Sequence, residues 1–259
     1  MSKLQIAVLI SAAGLFLLLY FTCETKPPSQ KAIEKSRALT IEQTDIASLL
    51  TEAKAHLEPQ DAAAILSLES ELEAAAGDSA KAEVFKALSG KWYSAGATAV
   101  AGFYAEEAAN LESSGEAWGI AGTTFTLCAQ QASEEKTRSF CATRAVKAFE
   151  SAISLAPKEL SHRLNLALVY ADFPPPDDVM KGIVMLRDLD AKNPDNPSVL
   201  YHLGRLAVRT GQWDRAIERL ERSAALDPSN QNTWCLLALA YKETGNQPKA
   251  AACQQKCEQ

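Results

Sequence analysis

Hydrophobic positions along this chain follow two regimes. From Leu4 to Cys23 they are almost continuous, with no charged side chain in 20 residues. After about Thr40 they recur every three or four positions, the period of an amphipathic helix. Thr40-Ile41-Glu42-Gln43 has the form of a capping box, and Ile46, Leu49, Leu50, Ala53 and Leu57 follow it, which predicts a helix running to about His56. Pro59 fits the first turn of a second helix, whose apolar residues Ile65, Leu68, Leu72 and Ala76 stop at Gly77. Between the two regimes, Lys26-Pro27-Pro28-Ser29-Gln30 is polar and held out of helix by its prolines.

From Ala82 onward the helical pattern itself repeats. Leu203-Gly204 returns as Leu237-Ala238, Ala207 is answered by Tyr241, Gly211 by Gly245 and Ala216 by Ala250, each pair 34 residues apart. The small residues at Gly204, Ala238, Ala216 and Ala250 are placed where two helices cross closely and a bulky side chain would push them apart. Gly211 and Gly245 stand just past a helix, where a left-handed residue ends it at least cost. Upstream, Leu88-Ser89, Trp92, Gly96, Ala101 and Ala108 reproduce the same positions. A second unit carries Trp118, Ala121-Gly122 and Phe125, then Ala145, Phe149, Ala152, Leu155 and Pro157. In it Phe125 and Ala145 are 20 residues apart where the regular unit has 9, so the polar stretch from Gln130 to Cys141 either lengthens both helices or loops out. The third unit has Leu166-Ala167 and Tyr170, then Gly182, Leu186, Leu189 and Pro194. Its turn holds Pro174-Pro175-Pro176, and Asp177-Asp178 are expected at the start of the next helix, where the helix dipole favours negative charge.

A 34-residue unit of helix, turn and antiparallel helix is the tetratricopeptide repeat, and the chain resembles a single-pass, membrane-anchored tetratricopeptide repeat protein of bacteria. The resemblance implies an all-α, right-handed solenoid of helical hairpins. Its expected organisation is an N-terminal transmembrane anchor (1–25), a linker (26–39), a helical hairpin acting as cap or spacer (40–77), and a repeat domain (78–259). That domain holds about five units, at 82–114, 115–158, 159–196, 197–230 and 231–259. It implies a scaffold with protein or peptide partners, and it carries over no catalytic residue, cofactor or metal.

By the same resemblance, the second, fifth, ninth, twelfth and thirteenth positions of each first helix face a concave groove. These are Ser198, Tyr201, Arg205, Val208 and Arg209 in the fourth unit, and Asn232, Cys235, Leu239, Lys242 and Glu243 in the fifth. The third unit contributes Ser161, Leu164, Leu168, Ala171 and Asp172. The Lys/Asn carboxylate clamp of chaperone-binding repeats is absent from these positions. Tyr201, Arg205, Arg209, Leu239 and Lys242 are the candidate peptide-binding residues. Arg205 and Arg209 share one helical face, and guanidinium groups grip carboxylates with paired hydrogen bonds, so an acidic or C-terminal segment is the expected ligand. The alternative for the arginines is a solvated surface. The alternative for the whole chain is a structural subunit of an envelope assembly, acting by self-association or through its convex face.

Twenty helical residues rise about 30 Å, the thickness of a bilayer core, so residues 4–23 are expected to span a membrane. A secretory signal has a shorter apolar run and a small-x-small cleavage site, whereas Tyr20-Phe21-Thr22 follows here; a lipidated Cys23 is the minority reading. The expected location is the bacterial inner membrane. Lys26, Lys31, Lys35 and Arg37 after the span outnumber Lys3 before it, which leans the repeats toward the cytoplasm, with the periplasm as the alternative. With 26 basic against 32 acidic side chains the net charge is −6, which argues against nucleic acid as the main partner.

Chemistry is sparse. His56, His162 and His202 lie on separate helices with no nucleophile motif beside them, and Ser89-Gly90-Lys91-Trp92 lacks the glycines of a phosphate cradle. Cys128 and Cys141 flank one interhelix turn, where a pairing is available. Cys235, Cys253 and Cys257 fall short of a four-ligand zinc set. All are expected as reduced, small apolar side chains.

Overall fold

A computed structural model describes Gln5 and residues 45–258. The apolar stretch 4–23, the linker and the Thr40-Gln43 capping box lie outside the described residues, apart from Gln5. Among the described residues no helix is long and apolar enough to cross a membrane.

Twelve α-helices are described, all within one compact unit that begins at Ile46. They are α1 Ile46–Ala55, α2 Pro59–Ala74, α3 Asp78–Ser94, α4 Thr98–Glu112, α5 Gly115–Gln131, α6 Glu135–Leu155, α7 Leu160–Asp172, α8 Lys181–Lys192, α9 Pro197–Arg209, α10 Trp213–Leu226, α11 Gln231–Glu243 and α12 Gln247–Cys257. From α3 onward consecutive helices pair as hairpins, and the second helix of each hairpin packs on the first helix of the next. α1 lies on α4 and α2 on α3. Leu50, Ala53, Leu57, Leu68 and Leu72 thereby close over Trp92 and Tyr104, covering the apolar end of the first hairpin.

Local chemistry sets the boundaries. Ser114 and Asn196 accept hydrogen bonds from the amides of Ala117 and Val199, at 3.1 and 3.0 Å, which caps α5 and α9. Gly96, Gly211 and Gly245 have φ of 79°, 68° and 80°, so the turns inside the α3–α4, α9–α10 and α11–α12 hairpins each use a residue without the Cβ that penalises this conformation.

Close crossings hold each hairpin shut. A Cβ on Gly204 would come within 2.6 Å of Leu220 Cγ, and one on Gly182 within 2.6 Å of the Ala167 carbonyl oxygen. The first crossing is backbone against a side chain. The second is backbone against backbone. At the equivalent place in the first hairpin, Ser89 Oγ donates to the Ala101 carbonyl at 2.9 Å, so a small polar residue serves where glycine is used elsewhere.

One open alternative is decided and two local expectations change. The extra residues of the second unit do not loop out: α5 and α6 extend to 17 and 21 residues and turn within three. Cys128 and Cys141 are bonded across that turn, and Cys235 and Cys257 join the start of α11 to the end of α12, leaving Cys253 as the free, buried thiol among the described residues. Four of the cysteines expected as reduced are therefore cross-links, because antiparallel hairpins bring their Cα atoms to 5.9 and 4.9 Å. Finally, α8 starts at Lys181, so Asp177 and Asp178 precede it. The Asp178 amide donates to the Pro175 carbonyl and the Asp178 carbonyl accepts from the Lys181 amide, a turn that delays the helix.

Candidate functional site on the concave face

First helices of successive hairpins meet on one side: α5 touches α7, and Arg205 and Arg209 of α9 reach Asp172 of α7, so α5, α7 and α9 form the wall of a groove. Two clefts open along it. One, of about 550 Å³, lies between the N-terminal halves of α5 and α7 and includes Glu116, Ile120, Thr124, Glu159 and His162. The other, of about 410 Å³, includes Thr126, Gln130, Leu168, Tyr201, His202 and Arg205. Thr123 and Asn165 line both, so the two are parts of one furrow.

At the α9 end, Asp172 organises the charges. Arg205 Nη2 donates to both of its carboxylate oxygens, at 3.1 and 3.3 Å, and Arg209 Nη1 donates to one at 2.8 Å. Arg209 Nη2 also donates to the Ala171 carbonyl at 2.8 Å. Asp172 is 18% exposed against 31% for Arg205 and 50% for Arg209, so the cluster is shielded on the carboxylate side and open on the arginine side. Two cations facing one anion leave one net positive charge.

His202 lies in the same cleft one turn before Arg205. Burial, then the Arg205 guanidinium, hold its imidazole down to about 4, against a smaller opposing pull from Asp172, so it is neutral at neutral pH. Its Nδ1 and the Nε of Arg205 are buried without a hydrogen-bond partner.

At the other end the groove is acidic. Glu159 caps α7 by accepting from the Ser161 amide at 3.4 Å, it also accepts from the Ser161 hydroxyl at 2.9 Å, and the hydroxyl bond, with the amide, holds its carboxyl below the usual range. Among the described residues neither Glu116 nor Glu159 makes an ion pair.

The candidate residues are thus divided. Tyr201 and Arg205 line the cleft and Arg209 joins them through Asp172. Leu239, 41% exposed, and the exposed Lys242 sit on α11 and line neither cleft. Cys235, a groove position by spacing, is tied to Cys257. Sequence reasoning missed the contribution of α5, because the register of its weakly matching unit was read only for its packing residues. Three threonines in four positions, Thr123, Thr124 and Thr126, were the available signal. His56 follows the end of α1 while His162 and His202 are on α7 and α9, and among the described residues no three His, Cys, Asp or Glu side chains are placed to hold a metal.

The class of protein this defines is an array of helical hairpins with a polar concave furrow. Residues 181–238 and 231–259 each match a tetratricopeptide repeat model, so the C-terminal hairpins are tetratricopeptide repeats. No curated protein matches the chain by sequence. Among solved structures it is similar to MamA 41-end from Desulfovibrio magneticus RS-1, at 18% identity and a TM-score of 0.48 over 68% of this chain and 93% of that one. Another MamA crystal structure gives 16% and 0.46, over 68% and 89%. YrrB, described as a TPR protein with an unusual peptide-binding site, gives 16% and 0.41, over 68% and 84%.

Proposed function

We propose that this protein is a membrane-tethered scaffold that binds partner proteins in the concave furrow of α5, α7 and α9, with Tyr201, Arg205 and Arg209 at one end of it and Leu239 and Lys242 extending the surface by one repeat. Repeat solenoids work through such extended concave surfaces. The observation that carries the reading is the continuity of the two clefts through Thr123 and Asn165, which makes a site long enough for a segment of chain.

The tether is residues 4–23, on the strength of their length and lack of charge. The two disulfides favour the periplasm over the cytoplasm for the repeats, since disulfides persist in oxidising compartments and are rare where thiols are kept reduced. They outweigh a positive-inside lean that rests on a handful of basic residues.

A test of the furrow needs a substitution that blocks it without loosening the fold. Reversing the charge of Arg205 and Arg209 sets two new carboxylates against Asp172 and so disturbs the tie between α7 and α9 as well. Thr123→Tyr instead adds bulk at an exposed helical position shared by both clefts. Crosslinked pull-down from membranes should recover partners with the wild-type chain and lose most of them with Thr123→Tyr, the circular dichroism being unchanged. Equal retention sinks the furrow as the binding site.

Self-association through the second-helix side is a second reading, favoured by Val179, Met180 and Val184. These are 60%, 52% and 58% exposed around the start of α8. Val184→Asp would then disperse oligomers in light scattering while leaving pull-down partners in place.

A further inference from the structure

The furrow is chemically different at its two ends. Glu116 and Glu159 hold unpaired negative charge at one end, and the Arg205–Arg209–Asp172 cluster holds one net positive charge at the other. From Glu116 to Gln130 on α5, and from Glu159 to Asp172 on α7, the helical rise is about 20 Å. An extended chain covers that distance in about six residues.

Between the ends the lining side chains are uncharged, and the threonine hydroxyls among them share one hydrogen-bonding sense. Thr123 Oγ1 donates to the Gly119 carbonyl at 2.9 Å, Thr124 Oγ1 to Ile120 at 2.9 Å and Thr126 Oγ1 to Gly122 at 2.8 Å. Each hydroxyl has spent its only proton on its own helix, so what it turns to a ligand is lone pairs. A row of acceptors calls for a ligand with spare donors, and main-chain N–H groups of an extended segment are such donors.

Resting on the furrow reading above, we infer that the site selects an extended peptide segment bearing a basic side chain and, about six residues away, a carboxylate. The basic group meets Glu116 and Glu159, the main chain lies along the threonines and Asn165, and the carboxylate reaches the open side of Arg205 and Arg209. Opposite charges at a fixed spacing make the furrow read a pattern instead of a net charge. Either a purely acidic or a purely basic segment gains at one end and loses at the other.

Isothermal titration calorimetry on the full-length, detergent-solubilised chain tests this with four peptides, acetylated and amidated so that termini add no charge. One carries lysine and glutamate separated by five alternating alanines and serines. A second has the same composition with the two charges adjacent. The third and fourth carry two glutamates and two lysines at the original spacing. The spaced, oppositely charged peptide should bind at least tenfold more tightly than the other three at low salt, and the double variant Glu116→Gln, Glu159→Gln should remove that advantage while keeping an acceptor oxygen to cap α7. The inference is overturned if none of the four binds, if all bind alike, or if the double variant keeps the preference. Binding that ignores the charge pattern yet is lost with Thr123→Tyr overturns the two-ended selectivity and leaves the furrow standing. Binding unaffected by Thr123→Tyr overturns both.

Discussion

His202 illustrates how one buried side chain imprints a pH dependence on the fold. Its folded value is lowered from 6.5 to about 4, so between those two values the unfolded chain takes up a proton that the folded chain refuses. Stability is therefore fully present above about pH 6.5 and is lost as the pH falls toward 4, by up to about 3 kcal/mol. Urea denaturation midpoints across that range should drop for the wild type and drop less for His202→Phe. At the same scale, Gly182 and Gly204 look alike in sequence but face different neighbours. Leu220 beside Gly204 is a side chain that can shift, whereas Gly182 meets the main chain of Ala167 and Ala171. Gly182→Ala should cost on the order of 1 to 3 kcal/mol by overpacking. Gly204→Ala should cost less, because relief of the glycine penalty in a helix offsets part of it. Thermal unfolding of the two variants side by side checks the ranking.

Among elements, α7 and α9 are joined by an ion-pair cluster beside the apolar core they share, and two hairpins are closed covalently. Asp172→Asn removes the charge that Arg205 and Arg209 share. Charged hydrogen bonds at a carboxylate this shielded are worth about 1.5 to 3 kcal/mol, so a loss of that order is expected in denaturant titration. The Cys128–Cys141 link closes a loop of 13 residues. In the chain-entropy picture such a loop contributes about 3 kcal/mol, and Cys128→Ser with Cys141→Ser should lower the melting temperature accordingly. Cys253 behaves differently: burial pushes its thiol up, so it should alkylate slowly in the folded protein and quickly in urea, as mass spectrometry would record.

For the whole molecule the expected outcomes concern the membrane. Full-length protein should resist carbonate extraction and keep its N-terminal residues, while a chain beginning near Ser29 should be released. A mature protein starting at a lipidated Cys23 would refute the uncleaved span. With the repeats in the periplasm, protease added to spheroplasts should digest them. Thiol-reactive polymer should also shift the mobility of the denatured chain by four more cysteines after reduction than before it, the four that form the two links. Protection from protease, or equal shifts before and after reduction, would return the body to the cytoplasm.

Helix periodicity, turn glycines and small residues at crossings were legible in the chain because each depends on neighbours within one hairpin and returns at a fixed spacing in the next. Gly204, Ala216, Gly211 and Gly245 could be placed in a repeat before any contact was known. The 34-residue spacing then implied the hairpin array, and by resemblance a concave face on which Tyr201, Arg205 and Arg209 would lie. What the sequence could not determine is which side chains distant in the chain the packing brings into contact. Arg205 and Arg209 read as free cations until Asp172, 33 and 37 positions earlier, closed on them. The pairing of Cys235 with Cys257 depends on antiparallel packing that returns the end of α12 to the start of α11. The furrow itself exists only because α5, α7 and α9 lie side by side: its acceptor-lined floor belongs to one helix and its positive end to two others. Short-range sterics write themselves into spacing, whereas charge partners, cross-links and cavities are set by which surfaces the solenoid brings face to face.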